Sequence, residues 1–237
     1  TAALRPDSAS AAGAEQALRQ HIGNMLYDAS HGDETFYTVE NDVMKISFSN
    51  KGGRVASVEL KDYRTYLKTP LILFPDSTSV FDLSFFIKQG YNNSQINTGD
   101  YYFSTAGDTD PVFAPGPQNE KGFDNENNYT TIAYNYPGDD SIEDLGISKE
   151  SKEKTINSKI KWVAFKQQFF SSILIAGNDF QNGSIGYTTF APSEHKIKTF
   201  HAQLAVPFSP QTDRYGFSFY FGPNKFSVLN QYDDLHL

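Results

Sequence analysis

Glu40-Asn41-Asp42-Val43-Met44-Lys45-Ile46-Ser47-Phe48, Ser49-Asn50-Lys51-Gly52-Gly53 and Arg54-Val55-Ala56-Ser57-Val58-Glu59-Leu60-Lys61-Asp62-Tyr63 form the stretch that decides the fold. Met44, Ile46 and Phe48 alternate with Val43, Lys45 and Ser47, and Ala56, Val58 and Leu60 alternate with Val55, Ser57 and Glu59. Successive side chains leave a strand on opposite faces, so this period of two marks half-buried strands. Asn50, Gly52 and Gly53 offer the positive φ that a tight reversal requires. The stretch reads as two strands around a turn, continued by Lys61-Asp62-Tyr63-Arg64 and Pro70-Leu71-Ile72-Leu73-Phe74.

Outward from this hairpin, short strand-like segments alternate with turn signals. They are Val80–Ile87, Tyr101–Ser104, Tyr129–Tyr136, Ile160–Phe165, Phe169–Ala176, Ile185–Phe190, Lys198–Val206 and Tyr215–Phe221. Such spacing predicts an all-β sandwich. Asn125–Asn128 and Pro137–Asp140 read as polar reversals, and Gln181-Asn182-Gly183-Ser184 as a hairpin turn centred on Asn-Gly. The mixed charges of Ser148–Lys154 read as a solvated loop or short helix. Residues 1–35 read as a helical arm or linker, with Leu18, Ile22, Met25 and Leu26 at helical spacing and Ser8 or Ser10 available as N-cap. Residues 36–237 then form the β-domain.

Composition supports sheets and excludes several partners. The 237 residues include Phe 20 and Tyr 14 but Trp 1 and Met 2, and aromatic side chains favour pleated surfaces. The net charge of -8 opposes nucleic acid and an anionic bilayer as partners, and favours a monomer. With Cys 0, disulfides and thiolate metal sites are excluded. No apolar run approaches the ~20 residues that cross a bilayer, and the N-terminus lacks the basic and apolar regions of a signal peptide.

Three blocks together resemble one family. The opening hairpin, with Asn50, Gly52 and Gly53, resembles the start of the large periplasmic domain of YidC, the bacterial membrane protein insertase. Trp162-Val163-Ala164-Phe165-Lys166-Gln167-Gln168-Phe169-Phe170 resembles the YidC segment in which a strand ending in Trp-Val-Ala leads into Gln-Gln and an aromatic pair. The third block is Phe217–Phe221 followed by Gly222-Pro223, with Pro223 read as the first position of a short helix carrying Phe226, Leu229 and Tyr232 on one face. In the family a similar helix runs toward the membrane core. The resemblance implies a β-supersandwich similar to the galactose mutarotase superfamily, with the helical arm before it and the short helix after it. One departure stands out: only the Pro-rich stretch Pro111–Pro117 lies where the family has further strands, between Phe103 and Glu120.

By that resemblance the chain is the periplasmic part of an inner-membrane protein, with the membrane anchor and insertase core outside this sequence. The role implied is an accessory interaction or substrate-binding domain in membrane protein insertion. The implied partners are Sec translocon components and nascent membrane proteins, and the helix of Phe226, Leu229 and Tyr232 is the expected coupling element. The rival reading is a carbohydrate-binding or mutarotase-like supersandwich, since fold alone does not assign function. Mutarotation needs an acid and a base, commonly His with a carboxylate. His21, His31 and His236 lie in arms or termini, and neither His195 nor His201 sits in a segment resembling a mutarotase motif. Asp108-Thr109-Asp110 lacks the rest of an EF-hand, and no His-Glu-x-x-His, Gly-x-Ser-x-Gly or phosphate loop occurs. The expectation is a non-enzyme without metal or cofactor.

Overall fold

Ala56, Val58 and Leu60 are buried while Ser57 and Glu59 are half-buried, as the alternation requires, but Val55 on the opposite face is buried too. The computed structural model describes residues 8–75, 81–89, 92–104, 123–191, 197–207 and 215–235. The chain divides into two units, Thr1–Glu59 with Phe74–Pro115, and Leu60–Leu73 with Gly116–Leu237.

The first unit opens with helices α1 (Ser8–Ile22) and α2 (Asn24–Ala29), separated at Gly23 by a φ of 86°. That break ends the helical phase, so Leu18 and Met25 are exposed and the expected stripe does not form one packing face. Instead Tyr27 is buried, with the Arg19 guanidinium 4.0 Å over its ring and 3.5 Å from both Glu15 and Asp28. Ser8 is the first helical residue, so its N-cap lies outside the described residues.

Strands β1 (Phe36–Glu40), β2 (Met44–Ser49), β3 (Arg54–Arg64) and β4 (Pro70–Ile72) follow in that order across one sheet. The division of the chain falls inside β3. Gly52 and Gly53 take φ values of 80° and 58°, as a tight reversal demands. Asn50 does not, contrary to the sequence expectation; it works by hydrogen bonding. Its Oδ1 accepts from Thr35 N at 2.7 Å, its Nδ2 donates to Asp33 O at 3.2 Å, and its carbonyl accepts from Phe103 N at 2.8 Å. On β2 the buried residues are Ser47 and Ser49 rather than the apolar set, with Ser49 Oγ donating to Glu34 Oε1 at 2.6 Å.

Tyr101–Ser104 is not a strand. Tyr102 makes one isolated bridge to Lys51, and its N–H is taken by Ala29 O, leaving no ladder to extend. β5 (Ser84–Gln89) begins later than expected and pairs with β6 (Asn92–Asn97), whose polar sequence shows no alternation to read. Val80, Pro111–Pro117 and Asp108–Asp110 lie outside the described residues.

In the second unit, α3 (Phe123–Asn127) replaces the expected reversal at Asn125–Asn128. Eight strands follow: β7 (Thr131–Asn135), β8 (Ile142–Asp144), β9 (Lys152–Ile156), β10 (Ile160–Lys166), β11 (Phe170–Phe180), β12 (Gly183–Thr189), β13 (Lys198–Leu204) and β14 (Phe217–Pro223). They form a five-stranded sheet ordered β14-β11-β10-β7-β8 and a three-stranded sheet ordered β13-β12-β9, with antiparallel pairings throughout. Ile132, Tyr134, Val163 and Ala176 of the first sheet pack against Ile156, Ile185 and Tyr187 of the second in one buried cluster. This is a sandwich, as the alternating segments required.

Three local expectations are corrected here. Ser148–Lys154 does not form a loop or helix throughout, because Lys152–Ile156 is β9. Its charges alternate, and the stems of Lys152 and Lys154 line the half-buried face while Lys154 Nζ donates to Tyr134 Oη and Lys152 Nζ to Leu145 O. Gln181–Ser184 is not a hairpin, since β11 and β12 belong to different sheets. Gly183 serves there as a space: an added Cβ would lie 2.6 Å from Gln203 O. Gly222 and Pro223 do not open a helix but remain in β14, opposite Ser171 and Phe170, and helix α4 (Phe226–Leu229) starts after Lys225.

Candidate functional site

The five-stranded sheet has a second face, and the end of the chain covers it. Ala133, Trp162, Ala164, Ile173, Ile175 and Tyr220 alternate with the sandwich-facing residues and form a separate buried cluster. Val228, Leu229 and Leu235 pack on it from α4 and the 3-10 turn Asn230–Leu235 that follows. Trp162 is 2% exposed, and its Nε1 donates to Leu235 O at 2.8 Å. Satisfying the indole N–H while burying the ring makes it the anchor of this cap.

Tyr220 is the second anchor. Its hydroxyl donates to Pro223 O at 2.8 Å and its ring meets Tyr232 edge-on at 5.6 Å. Burial first, and then the neighbouring Tyr232 and Tyr63, push its ionisation up to about 12. Of the three expected coupling residues, Leu229 packs on the sheet and Tyr232 touches Tyr220. Phe226 does not pack: it is 79% exposed, because the helix starts three residues later than Pro223 and so presents Val228 to the sheet in its place.

Asn224, unremarked in the sequence, ties the cap to the turn between β10 and β11. Its N–H donates to Phe169 O at 2.7 Å, its Nδ2 donates to Gln167 O at 2.8 Å, and its Oδ1 accepts from Ser171 Oγ at 2.6 Å. Gln167 N donates to Phe170 O at 2.9 Å and closes the turn, with Gln168 half-buried within it. The Gln-Gln and Gly-Pro blocks therefore meet through one asparagine. Asn50, Gly52 and Gly53 belong to the first unit and build its own turn.

The same end of the second unit carries exposed side chains of two kinds. Phe169 is 51% and Phe226 79% exposed, flanked by exposed Lys166 and Lys225. The Tyr63 ring lies edge-on to Phe170 at 4.9 Å, which brings the neighbouring turn Thr65–Thr69 to this end. Thr65 N donates to Thr69 O and Lys68 N to Thr65 O, both at 2.9 Å, and the two threonine hydroxyls bond at 2.7 Å. Lys68 holds a φ of 66°, the only positive φ of a non-glycine among the described residues. This over-determined turn keeps Tyr66 and Leu67 in solvent.

Inside the sandwich, Lys198 Nζ donates to Thr130 O and Asn127 O and sits 4.3 Å over the Tyr187 ring. Burial, and secondly repulsion from Lys152, bring its ionisation down to about 8. A lysine of the unfolded chain ionises at roughly 10.4, so between these values the unfolded state binds the extra proton and stability rises with pH. Tyrosine ionisation in the unfolded chain begins near pH 9 and acts in the opposite sense, because burial raises several tyrosines of the fold. Urea midpoints should therefore climb between pH 8 and 9, and Lys198→Met should abolish the climb; an identical climb in the variant would refute the assignment.

His201 stands exposed on the outward side of β13, above Gly186, while His195 and His236 lie outside the described residues. Among the described residues no group of three His, Cys, Asp or Glu is placed to hold a metal, and no helix is long and apolar enough to cross a membrane.

Comparison with known proteins agrees with this arrangement. The family model of the YidC periplasmic domain matches residues 37–120 and 115–237. The chain is 31% identical over 280 residues to the membrane protein insertase YidC of Parabacteroides distasonis, covering 96% of this chain and 42% of that protein. The insertase YidC of Phocaeicola vulgatus is 33% identical, with 90% and 42% covered, and that of Bacteroides fragilis 29%, with 89% and 41% covered. The chain thus spans about two-fifths of the length of these relatives. Their alignments are longer than the chain itself, and the two matched stretches meet at residues 115–120, the region where the sequence departs from the family pattern.

Proposed function

The chain belongs to the family of YidC periplasmic domains, and from that premise we propose that it is an accessory interaction domain for membrane protein insertion. Its partners in this reading are translocon components and emerging membrane proteins, and its cap couples the sandwich to the membrane-embedded part of the longer protein. The observation that carries the reading is the Trp162–Leu235 hydrogen bond at 2.8 Å, with Val228, Leu229 and Leu235 packed on the outer face of the sheet. A short helix has little stability of its own, so this packing holds α4 in place and sets the direction in which the chain leaves the sheet.

Val228→Ala combined with Leu229→Ala should cost about 1–4 kcal/mol in total, below the sum for fully buried sites because both are only partly buried. Phe226→Ala should leave folding stability within about 0.5 kcal/mol, as for other exposed positions. In full-length protein, in cells depleted of their own insertase and with membrane levels of each variant matched, the double substitution should impair growth and client insertion more than deletion of Thr1–Ser30. Normal growth and insertion with the double substitution would refute the coupling role.

A further inference from the structure

One end of the second unit carries exposed cations and exposed apolar side chains on the same turns. In a chain of net charge -8, the exposed cations Arg64, Lys68, Lys166 and Lys225 gather on neighbouring turns, with Asp62 the exposed carboxylate on the same stretch of β3. The same turns carry four exposed apolar side chains, Tyr66, Leu67, Phe169 and Phe226. Two independent devices hold these turns: the Asn224 clamp under Phe169 and Phe226, and the Thr65–Thr69 bonds with the left-handed Lys68 under Tyr66 and Leu67. Rigid backbone presenting unburied aromatic rings and a leucine is costly in water unless something covers them.

We propose that this end of the second unit rests on an anionic phospholipid surface, with Phe169, Phe226, Tyr66 and Leu67 entering the headgroup region and Arg64, Lys68, Lys166 and Lys225 pairing with phosphates. Aromatic rings prefer the interface between water and acyl chains, while lysine and arginine stems lie along apolar surface with their charges at headgroup level. Charge complementarity selects this occupant. A basic patch gains attraction near an anionic surface that decays within a Debye length of about 8 Å at physiological salt, so the acidic remainder of the chain beyond that distance opposes it weakly. The contact is weak and reversible, since no helix or acyl chain is inserted. It goes beyond the coupling role and does not depend on it, because it is read on the 237-residue chain with vesicles and not in cells.

The test is flotation of the chain with vesicles of phosphatidylcholine alone or containing a third phosphatidylglycerol, at millimolar lipid. Binding should appear only with phosphatidylglycerol and fall as salt rises from 0.05 to 0.5 M. Phe169→Ser with Phe226→Ser, and separately Lys166→Gln with Lys225→Gln, should each lower the partition coefficient at least about fivefold, and all four together more than tenfold. All four positions are exposed, so unchanged circular dichroism and urea midpoints confirm that the variants fold. Met25→Ser, at a site 81% exposed in the first unit, should leave binding unchanged. No binding at low salt, equal binding to neutral vesicles, or binding indifferent to the four substitutions overturns the proposal. So does loss of a protein partner by the Phe169→Ser/Phe226→Ser variant when the parent chain itself binds no vesicles.

Discussion

Trp162→Ala is expected to destabilise the second unit by about 3–5 kcal/mol and to release the chain after Asn224 from the sheet. Trp162 contributes to both losses: its ring fills the centre of the outer cluster with Ile175 and Tyr220, and its N–H holds Leu235 O. The sheet cannot close over the vacated volume, since Trp162 and the Val163 and Ala164 that follow it belong to a strand paired with both β7 and β11. Trp162→Phe separates the two terms. It retains most of the ring and removes the donor, so it should cost about 1–3 kcal/mol, the range for an unsatisfied buried carbonyl plus a smaller cavity. Urea denaturation followed by circular dichroism gives both values. Limited proteolysis should cut after Asn224 in the alanine variant first. Equal stability of the alanine variant and the parent would show that the cap contributes nothing to the fold.

Gly186→Ala should also destabilise the second unit, although it adds only one methyl. Gly186 lies in β12, the central strand of the three-stranded sheet, between β13 and β9. A Cβ there would lie 2.7 Å from Lys152 O and closer still to the ring of His201. The imidazole can swing outward, being exposed, but the backbone carbonyl of β9 cannot retreat without loosening that edge strand. The expected cost is roughly 1–3 kcal/mol, as for other overpacked sites. His201→Ala in the same chain should recover only the part due to the ring, and the remainder measures the backbone clash. Gly216→Ala makes the comparison fair, because nothing lies within 4 Å of its added Cβ. A Gly186→Ala variant as stable as Gly216→Ala would refute the steric reading.

What the sequence revealed follows from which forces are local. Alternation exposed β3, because burial on one face imposes a period of two whatever the partner strand is, whereas β7 and β10, buried on both faces, were legible only as short strand-like segments between turn signals. The family resemblance rested on the opening hairpin and on the Trp162–Phe170 and Phe217–Pro223 blocks, of which the last two prove to be bound to each other through Asn224. That binding was not legible, since Asn224 forms no local motif and its partners lie at Phe169, Gln167 and Ser171. Gly222-Pro223 looked like a helix start on local chemistry alone. Tertiary pairing with Phe170 and Ser171 overrode it, and the resulting shift in phase exchanged Phe226 for Val228 on the sheet. Lys152–Ile156 was missed for the opposite reason: its charges hid an alternation that the aliphatic stems of Lys152 and Lys154 satisfy. The Asn-Gly of Gln181–Ser184 forms no tight turn, because Gln181 N donates to Ala205 O and Ala205 N to Asn182 O, long-range bonds that local turn chemistry does not foretell.

The boundary inside β3 also governs how the chain acquires its structure. Leu60–Leu73 belongs with Gly116–Leu237, while the segment made between them, Phe74–Pro115, belongs with the N-terminal residues. Synthesis runs from the N-terminus at about 5–20 residues per second, so the partners of Leu60–Leu73 arrive some seconds after it. Tyr63 must wait for Phe170, and Leu60, Leu71 and Ile72, all buried in the finished fold, spend that interval without their neighbours. The first unit has all its residues once Pro115 is made, whereas the second cannot mature while only the first half of the chain exists. Long-range pairings of this kind fold slowly and leave sticky intermediates open to self-association. A domain of an insertase family thus places its own nascent chain in the position of a client, needing protection between emergence and completion.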